Sequence, residues 1–256
     1  MLLAIDVGNT NTVFGFLRSG KVVSSWRVST HRDRTADEYA LLVHQLCEHA
    51  CAGIEEISGV VICSVVPPIT GALEVMARDA LKLPPVTVRS DLELDVIIDY
   101  YDPTEVGADR LANAIAIRQL TTDAAIVVDF GTATTFDIIT ADGHYRGGAI
   151  APGVRTSSEN LFRRAALLHG VRMQAPESAI GRSTDEALRS GIIYGAAGQV
   201  DAIVRRLSSE MGETPVVIAT GGLAETIAPL SETIDRVEPD LTLLGLSIIY
   251  ERVTRQ

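Results

Sequence analysis

The sequence is short of several features that would place it at once. Three cysteines in 256 residues are too few for the disulfide framework of a small secreted domain. No apolar run is long enough to span a bilayer, so no membrane partner is expected. Met1 leads straight into an apolar run, with no basic segment and no small-residue cleavage site. That predicts a cytoplasmic chain without a signal peptide. Positive charge is scarce: 22 Lys and Arg stand against 33 Asp and Glu, a net charge of −11. Nucleic acid is therefore not an expected partner, because a phosphate backbone needs clustered Lys and Arg. An anionic nucleotide would have to be met by metal cations and backbone dipoles. Three signatures are also missing: the G-x-x-x-x-G-K-[ST] P-loop, the G-x-G-x-x-G dinucleotide fingerprint and the G-x-S-x-G elbow.

What is present starts at the N-terminus. Residues 2–16 read as apolar strand, Asp6, a small hydroxyl-rich turn and a second apolar strand, a hairpin pattern. Gly8 allows close approach to the backbone. Asn9, Thr10, Asn11 and Thr12 add side-chain donors beside exposed N–H groups, a combination that suits a phosphate. Asp6 ends a buried strand, where a carboxylate needs a cation or donors to satisfy it. The pattern returns once. Residues 126–143 lie on residues 3–20 without a gap at an offset of 123, placing Asp129 on Asp6, Gly131 on Gly8, Thr135 on Thr12 and Gly143 on Gly20. A weaker echo relates residues 60–64 to 216–220. The reading is a duplicated α/β unit with two acidic turns facing one cleft, divided into halves 1–115 and 116–256.

The rest of the chain fits that plan. Residues 22–28 predict a third strand, Thr35 and Glu38 a capping box opening a helix to about residue 50, residues 59–66 a buried strand, residues 70–81 a helix and residues 86–89 a short strand. His44, Cys47 and Cys51 share a helical face, but with no second ligand pair elsewhere they read as structural. Gly107 to Arg110 open a helix in which Asp109 occupies the first turn. By spacing alone Asp109 reads first as a helix-capping carboxylate in a surface charge pair with Arg110. In the second half, residues 159–168 predict a helix and 169–179 an irregular surface stretch. A long helix follows to about residue 207, whose Gly191, Gly195 and Gly198 suggest close helix packing across a dimer. Residues 216–220 predict a buried strand, and Gly221-Gly222 a turn that suits an adenine or ribose. Phosphoryl transfer needs donors around phosphates, a cation and a base for the attacking hydroxyl. The two turns, Asp6 and Asp129, and Asp109 can supply these.

Paired Asp-Gly-Thr turns in a duplicated unit resemble the superfamily of sugar kinases, actin and Hsp70 chaperones. The ordered set narrows this: Asp6-Val-Gly-Asn-Thr-Asn-Thr, Ser64-Val-Val-Pro-Pro, Glu105-Val-Gly-Ala-Asp-Arg, Asp129-Phe-Gly-Thr-Ala-Thr-Thr-Phe, Gly147-Gly-Ala-Ile-Ala-Pro-Gly and Ala219-Thr-Gly-Gly-Leu together resemble type III pantothenate kinase over nearly the whole chain. The resemblance implies an α/β fold of duplicated ribonuclease H-like units, the actin-like ATPase fold, with two lobes and a nucleotide cleft. It implies ATP binding by Asp6, Val7, Gly8, Asn9, Thr10, Asn11, Thr12 and Val13, with Thr132 from the second turn. It implies Mg²⁺ on the nucleotide and a monovalent cation, K⁺ or NH₄⁺, near Asp129. Pantothenate would be bound by Gly107, Ala108, Asp109 and Arg110, helped by Tyr100 and Thr184, in a homodimer. Asp109 becomes the general base on the strength of the resemblance. Two departures stand out: Glu93 where a lysine is expected, and Ser183 where Asn is usual. A non-catalytic regulator of the same fold, like the Bvg accessory factor, is the competing reading.

Overall fold

The structure, a computed structural model, describes residues 1–50, 52–92, 94, 96–165 and 168–255. Cys51 and Glu93, both singled out above, lie outside the described residues. The chain forms two compact units. One comprises Met1–Leu120 and the stretch from Asp240 onward, the other Thr121–Pro239.

In the first unit, β1 (Leu2–Val7), β2 (Asn11–Arg18) and β3 (Lys21–Ser29) form an antiparallel meander, as the hairpin signals predict. Helix α1 (Ala36–His49) follows, its Thr35 side chain accepting from the Glu38 N–H while the Glu38 carboxylate accepts from the Thr35 N–H. Strand β4 (Gly59–Ser64) returns parallel to β1, then come α2 (Pro67–Asp79) and β5 (Pro85–Thr87). The sheet order is β3-β2-β1-β4-β5. Strand alternation sorts the side chains. Leu3, Ile5, Val7, Val60 and Ile62 join a core with Tyr39 and Val43 of α1 and Leu73 and Met76 of α2. Ala4, Asp6, Val61 and Cys63 therefore face the other side, where α3 (Ala108–Leu120) and α7 (Leu241–Arg255) pack.

Helix α7 is the reason the expected halves, 1–115 and 116–256, do not coincide with the units. It comes back to α3: a Cβ at Gly245 would lie 1.9 Å from the Ala112 carbonyl oxygen, so the glycine permits direct backbone contact. Thr242 Oγ1 donates to Asn113 Oδ1 at 2.8 Å. Helix α3 stays whole within the first unit. Between β5 and α3 the chain forms a two-residue strand, β6 (Ile97–Ile98).

The second unit repeats the plan. Strands β7 (Ala125–Phe130), β8 (Ala133–Ile139) and β9 (His144–Pro152) form the meander, and β10 (Val216–Gly221) and β11 (Arg236–Val237) run parallel to β7, in the order β11-β10-β7-β8-β9. Helices α5 (Thr184–Met211) and α6 (Ala224–Ile227) cover one face through Ala197, Val200, Val204 and Ile227. Helix α4 occupies Val154–Arg164 rather than residues 159–168. The polar run Arg-Thr-Ser-Ser-Glu-Asn carries no apolar period to announce it, and Gly153 serves as its N-cap. Gly191, Gly195 and Gly198 of α5 face open space; a Cβ on any of them would touch no other element among the described residues. Gly191 and Gly195 line a groove of about 280 Å³ with Val154 and Leu161 of α4.

The gapless overlay of the two halves conceals a register slip. Val7 pairs with Thr12, leaving residues 8–11 in the first acidic turn, whereas Phe130 pairs with Thr134, leaving residues 131–133. The second turn is one residue shorter, so Thr12 corresponds to Thr134 and Phe14 to Phe136. Each matched pair is buried to 1% exposure or less. The next hairpin restores the frame, with two residues, Ser19 and Gly20, at the first tip and three, Ala141 to Gly143, at the second. Gly20 (φ +73°) and Gly143 (φ +92°) both take the left-handed conformation.

Candidate active site

Asp6 stands half-buried at the end of β1, on the face turned towards α3. Its partner in register on β4 is Cys63, fully buried. Burial pushes the Cys63 thiol well up from its ordinary pKa. The carboxylates of Asp6 and Asp109 and a hydrogen bond from the thiol to Asp6 push it the same way. The first acidic turn stands at the carboxyl ends of parallel strands, where open α/β sheets place ligands, on the sheet face packed by the helix that Asp109 opens.

The turn after Asp6 is braced from the end of β3. Gly8 N–H donates to the Asn11 carbonyl at 2.9 Å, and Thr30 N–H to the Thr10 carbonyl at 2.9 Å. Thr30 Oγ1 donates to the Gly8 carbonyl at 2.8 Å and lies 3.0 Å from Thr12 Oγ1. Arg32 reaches Asn9 Oδ1 at 3.3 Å. Asn9, Thr10 and Asn11 are exposed, Val7 and Thr12 are buried, and Gly8 and Val13 are half-buried. The turn presents the exposed donors expected of it while its buried residues hold its shape. Spacing did not single out Thr30 or Cys63; strand register finds both.

Asp109, half-buried, lies in the first turn of α3. Its Oδ1 accepts from the Arg110 N–H at 2.9 Å, and a Cβ at Gly107 would lie 2.5 Å from that oxygen. A residue larger than glycine at 107 would displace the carboxylate. One oxygen of Asp109 is held by a first-turn N–H, as a capping role would have it, but Arg110 is buried, so no surface charge pair forms. Arg110 is buried beside it, and Ala108 is half-buried. Tyr100, also half-buried, lies in the segment between β6 and α3.

In the second unit, Asp129 ends β7 with Thr220 of β10 as its partner in register, the position Cys63 holds beside Asp6. Gly221, at φ +88°, lies beneath it, and a Cβ there would come 2.5 Å from Asp129 Oδ1. Gly131 N–H donates to the Ala133 carbonyl at 3.0 Å. Thr132 is exposed, its carbonyl accepting from Thr156 Oγ1 of α4 at 2.8 Å. A Cβ at Gly153 would lie 2.2 Å from that same carbonyl oxygen. Behind Asp129, its cross-strand partner Thr135 donates to Asp137 Oδ2 at 3.3 Å, and Tyr145 donates to Asp137 Oδ1 at 2.8 Å. Asp137 is wholly buried; nothing in the sequence pattern marked it, because it falls inside an apolar strand. Thr184 is exposed in the first turn of α5, after its N-cap Ser183, whose Oγ accepts from the Glu186 N–H at 3.2 Å.

Half-buried carboxylates at strand ends, beside turns of exposed N–H and hydroxyl donors, fit a nucleotide and hard cations, which take oxygen ligands. With the duplicated β3-β2-β1-β4-β5 plan, they define a protein of the actin-like ATPase fold. Solved structures share that fold at low identity. A Baf family chain of Campylobacter jejuni is 18% identical with a TM-score of 0.62, covering 99% of this chain and 100% of that one. The activator of 2-hydroxyisocaproyl-CoA dehydratase from Clostridium difficile, with bound ADPNP, is 12% identical with a TM-score of 0.60, covering 100% and 97%.

Sequence comparison is more specific. The model of type III pantothenate kinase matches residues 2–206. A type III pantothenate kinase of Bacillus cytotoxicus is 46% identical over 252 residues, 98% of this chain and 96% of that protein. The chain belongs to the type III pantothenate kinase family. It is an enzyme that uses ATP to phosphorylate pantothenate to 4′-phosphopantothenate, the first step towards coenzyme A. Among the described residues, no helix is long and apolar enough to cross a membrane.

Proposed function

We propose that Asp109 is the general base of this reaction and that the Asp6 turn is its phosphate cradle. Asp109 accepts the proton of the primary alcohol of pantothenate as that oxygen attacks the γ-phosphorus of ATP, and ADP departs. Gly107, Ala108 and Arg110 bind pantothenate beside the base, with Tyr100 and Thr184. Asp6, Val7, Gly8, Asn9, Thr10, Asn11, Thr12 and Val13, with Thr132, bind the nucleotide. The observation that carries the reading is that Asp6, in register with Cys63 at the carboxyl end of its strand, lies on the sheet face packed by α3, the helix whose first turn carries Asp109. A base must lie close to the phosphate it serves, and positioning is most of what a kinase supplies.

The cations follow from the donor set. Mg²⁺ on the nucleotide suits the oxygen-rich Asp6 turn, and K⁺ or NH₄⁺ suits Asp129, whose carboxylate rests on Gly221. When bound, they neutralise charge on the phosphates. A homodimer is supported by the open glycine face of α5 and the groove beside it; light scattering of the purified chain at twice the monomer mass is the check. A cytoplasmic location agrees with a reaction that draws on ATP. The regulatory alternative gains nothing from the Campylobacter jejuni chain, since a likeness at 18% identity speaks for fold alone.

The test is coupled ADP release with pantothenate, ATP, Mg²⁺ and K⁺. Asp109→Asn should lose about 10²- to 10⁴-fold in kcat, the usual range for a general base, while ATP binding by calorimetry persists. Asp129→Ala should abolish activation by K⁺. Full turnover in Asp109→Asn, or a normal potassium response in Asp129→Ala, would remove the corresponding assignment.

A further inference from the structure

Cys63 is a buried nucleophile that the reaction does not use. It sits in β4 opposite Asp6, on the sheet face shared with Asp6 and packed by α3, and has no exposed surface. As the in-register neighbour of Asp6 on the same sheet face, it sets its S–H beside the Asp6 carboxylate, its potential acceptor. A half-buried carboxylate needs donors, and a bond to a charged acceptor is among the stronger ones a side chain makes, even from a weak donor such as a thiol. A cationic donor in this place would also draw on Asp109. A neutral one orients Asp6 and leaves the proposed base alone.

The second unit carries a hydroxyl residue in the same register. Thr220 occupies the matching register beside Asp129 and is 2% exposed. In both units the strand next to the acidic strand places a small, neutral residue capable of donating a hydrogen bond in register with the aspartate. Neighbouring positions on these strands, Val61 and Ile62 in one and Ile218 and Ala219 in the other, are apolar and fully buried.

We propose that Cys63 is a positioning residue of the kinase, its S–H fixing the Asp6 carboxylate in the orientation that nucleotide binding requires. The proposal rests on the assignment of Asp6 to the ATP site. Initial rates at saturating pantothenate and varied MgATP test it in Cys63→Ala, Cys63→Ser, Asp6→Asn and the double variant Cys63→Ala/Asp6→Asn, with melting temperatures measured alongside.

Cys63→Ala should lower kcat/KM for ATP about tenfold, the loss expected for one hydrogen bond to a charged group. Cys63→Ser, which keeps a donor, should recover to within about threefold of the parent. The double variant should be no worse than Asp6→Asn alone, because the thiol acts only through that carboxylate. Cys63→Val, nearer in volume, carries the same test should Cys63→Ala not fold. Unchanged kinetics in both donorless variants, a Ser variant as impaired as the Ala one, or effects that multiply in the double variant would each overturn the proposal. Asp6→Asn distinguishes the two levels. If it is impaired while Cys63→Ala is normal, only the positioning role falls. If Asp6→Asn itself has parental kinetics, the ATP-site assignment of Asp6 falls, and the positioning role with it.

Discussion

The two acidic turns share a scaffold and differ in what holds them. In the first, a residue with a side chain does the holding: Thr30, just past β3, puts its hydroxyl between Thr12 and the Gly8 carbonyl. In the second, the residue just past β9 is Gly153, and the turn, one residue shorter, packs directly onto it. Here the brace is close backbone contact plus the Thr156 hydroxyl of α4. The orphaned partner of this exchange is visible: Thr134, the counterpart of Thr12, has a buried hydroxyl with no hydrogen bond among the described residues. A duplicated strand pair therefore fixes where an acidic turn stands, while its shape is set separately by whichever residue follows the third strand.

The sharpest way to break that comparison is Gly153→Ala. The first unit carries a threonine at the matching position, but in the second a Cβ would meet the Thr132 and Gly131 carbonyl oxygens at 2.2 and 2.7 Å. Both obstacles are backbone, so the turn itself must move. A displacement of about 1 Å in a positioning element costs on the order of a hundredfold. That loss is expected in kcat/KM for ATP, measured by coupled ADP release. Parental kinetics would mean that the second turn does not depend on this contact.

Much of this arrangement was legible in the sequence, and the illegible part has definite causes. Asp6 and Asp129 stood out because strand, aspartate, glycine and threonine are contiguous, and local patterns survive without tertiary knowledge. The order of elements in the first unit followed from hairpin signals and the Thr35–Glu38 capping box, which the structure contains. The register slip could not be read, because the residue lost in the second turn is regained at the Ala141–Gly143 tip and the overlay stays in frame. Helix α4 starts five residues before the stretch the pattern marks, because its first turns are polar and Gly153 looks like a loop residue. The return of α7 to α3 depends on Gly245 meeting Ala112, a contact between residues 133 positions apart (245 − 112) that no local window contains. Cys63 and Thr30 carry no local signal for the same reason: their meaning lies in which strand they are paired with.

The units also differ in how the chain is held beyond the sheet, and Asp201 sharpens this point with a smaller effect. On α5 of the second unit, it is 7% exposed and accepts from Ser231 Oγ, Thr233 Oγ1 and the N–H groups of Glu232 and Thr233. Burial works to raise its pKa, but the bonds from Ser231, Glu232 and Thr233 outweigh burial and bring it below the ordinary aspartate value. The sign follows: the folded state binds this proton less readily than the unfolded one, so the stabilisation is complete above the unfolded value and is lost as pH falls through the folded one. Asp201→Ala, which strands these donors, should cost about 2 kcal/mol at neutral pH, read from urea midpoints. The difference from the parent should shrink only below about pH 4. A constant difference down to pH 2 would assign the effect to packing alone.

The smallest expected effect tests the brace of the first turn. Thr30→Val keeps the shape of the side chain and removes its hydroxyl, leaving the Gly8 carbonyl and Thr12 without that partner. The Thr30 N–H bond to the Thr10 carbonyl remains, so the turn keeps its main-chain tie. A loss of about 1 kcal/mol in stability follows from one part-buried hydrogen bond, with a rise in KM for ATP of about two- to threefold. The contrast with Gly153→Ala is what matters: deleting a hydroxyl lets a turn relax in place, whereas adding a methyl against two carbonyls forces it to relocate. If Thr30→Val proved as damaging as Gly153→Ala, the first turn would depend on its hydroxyl as rigidly as the second depends on contact. The two braces would then be equivalent in strength and different only in chemistry.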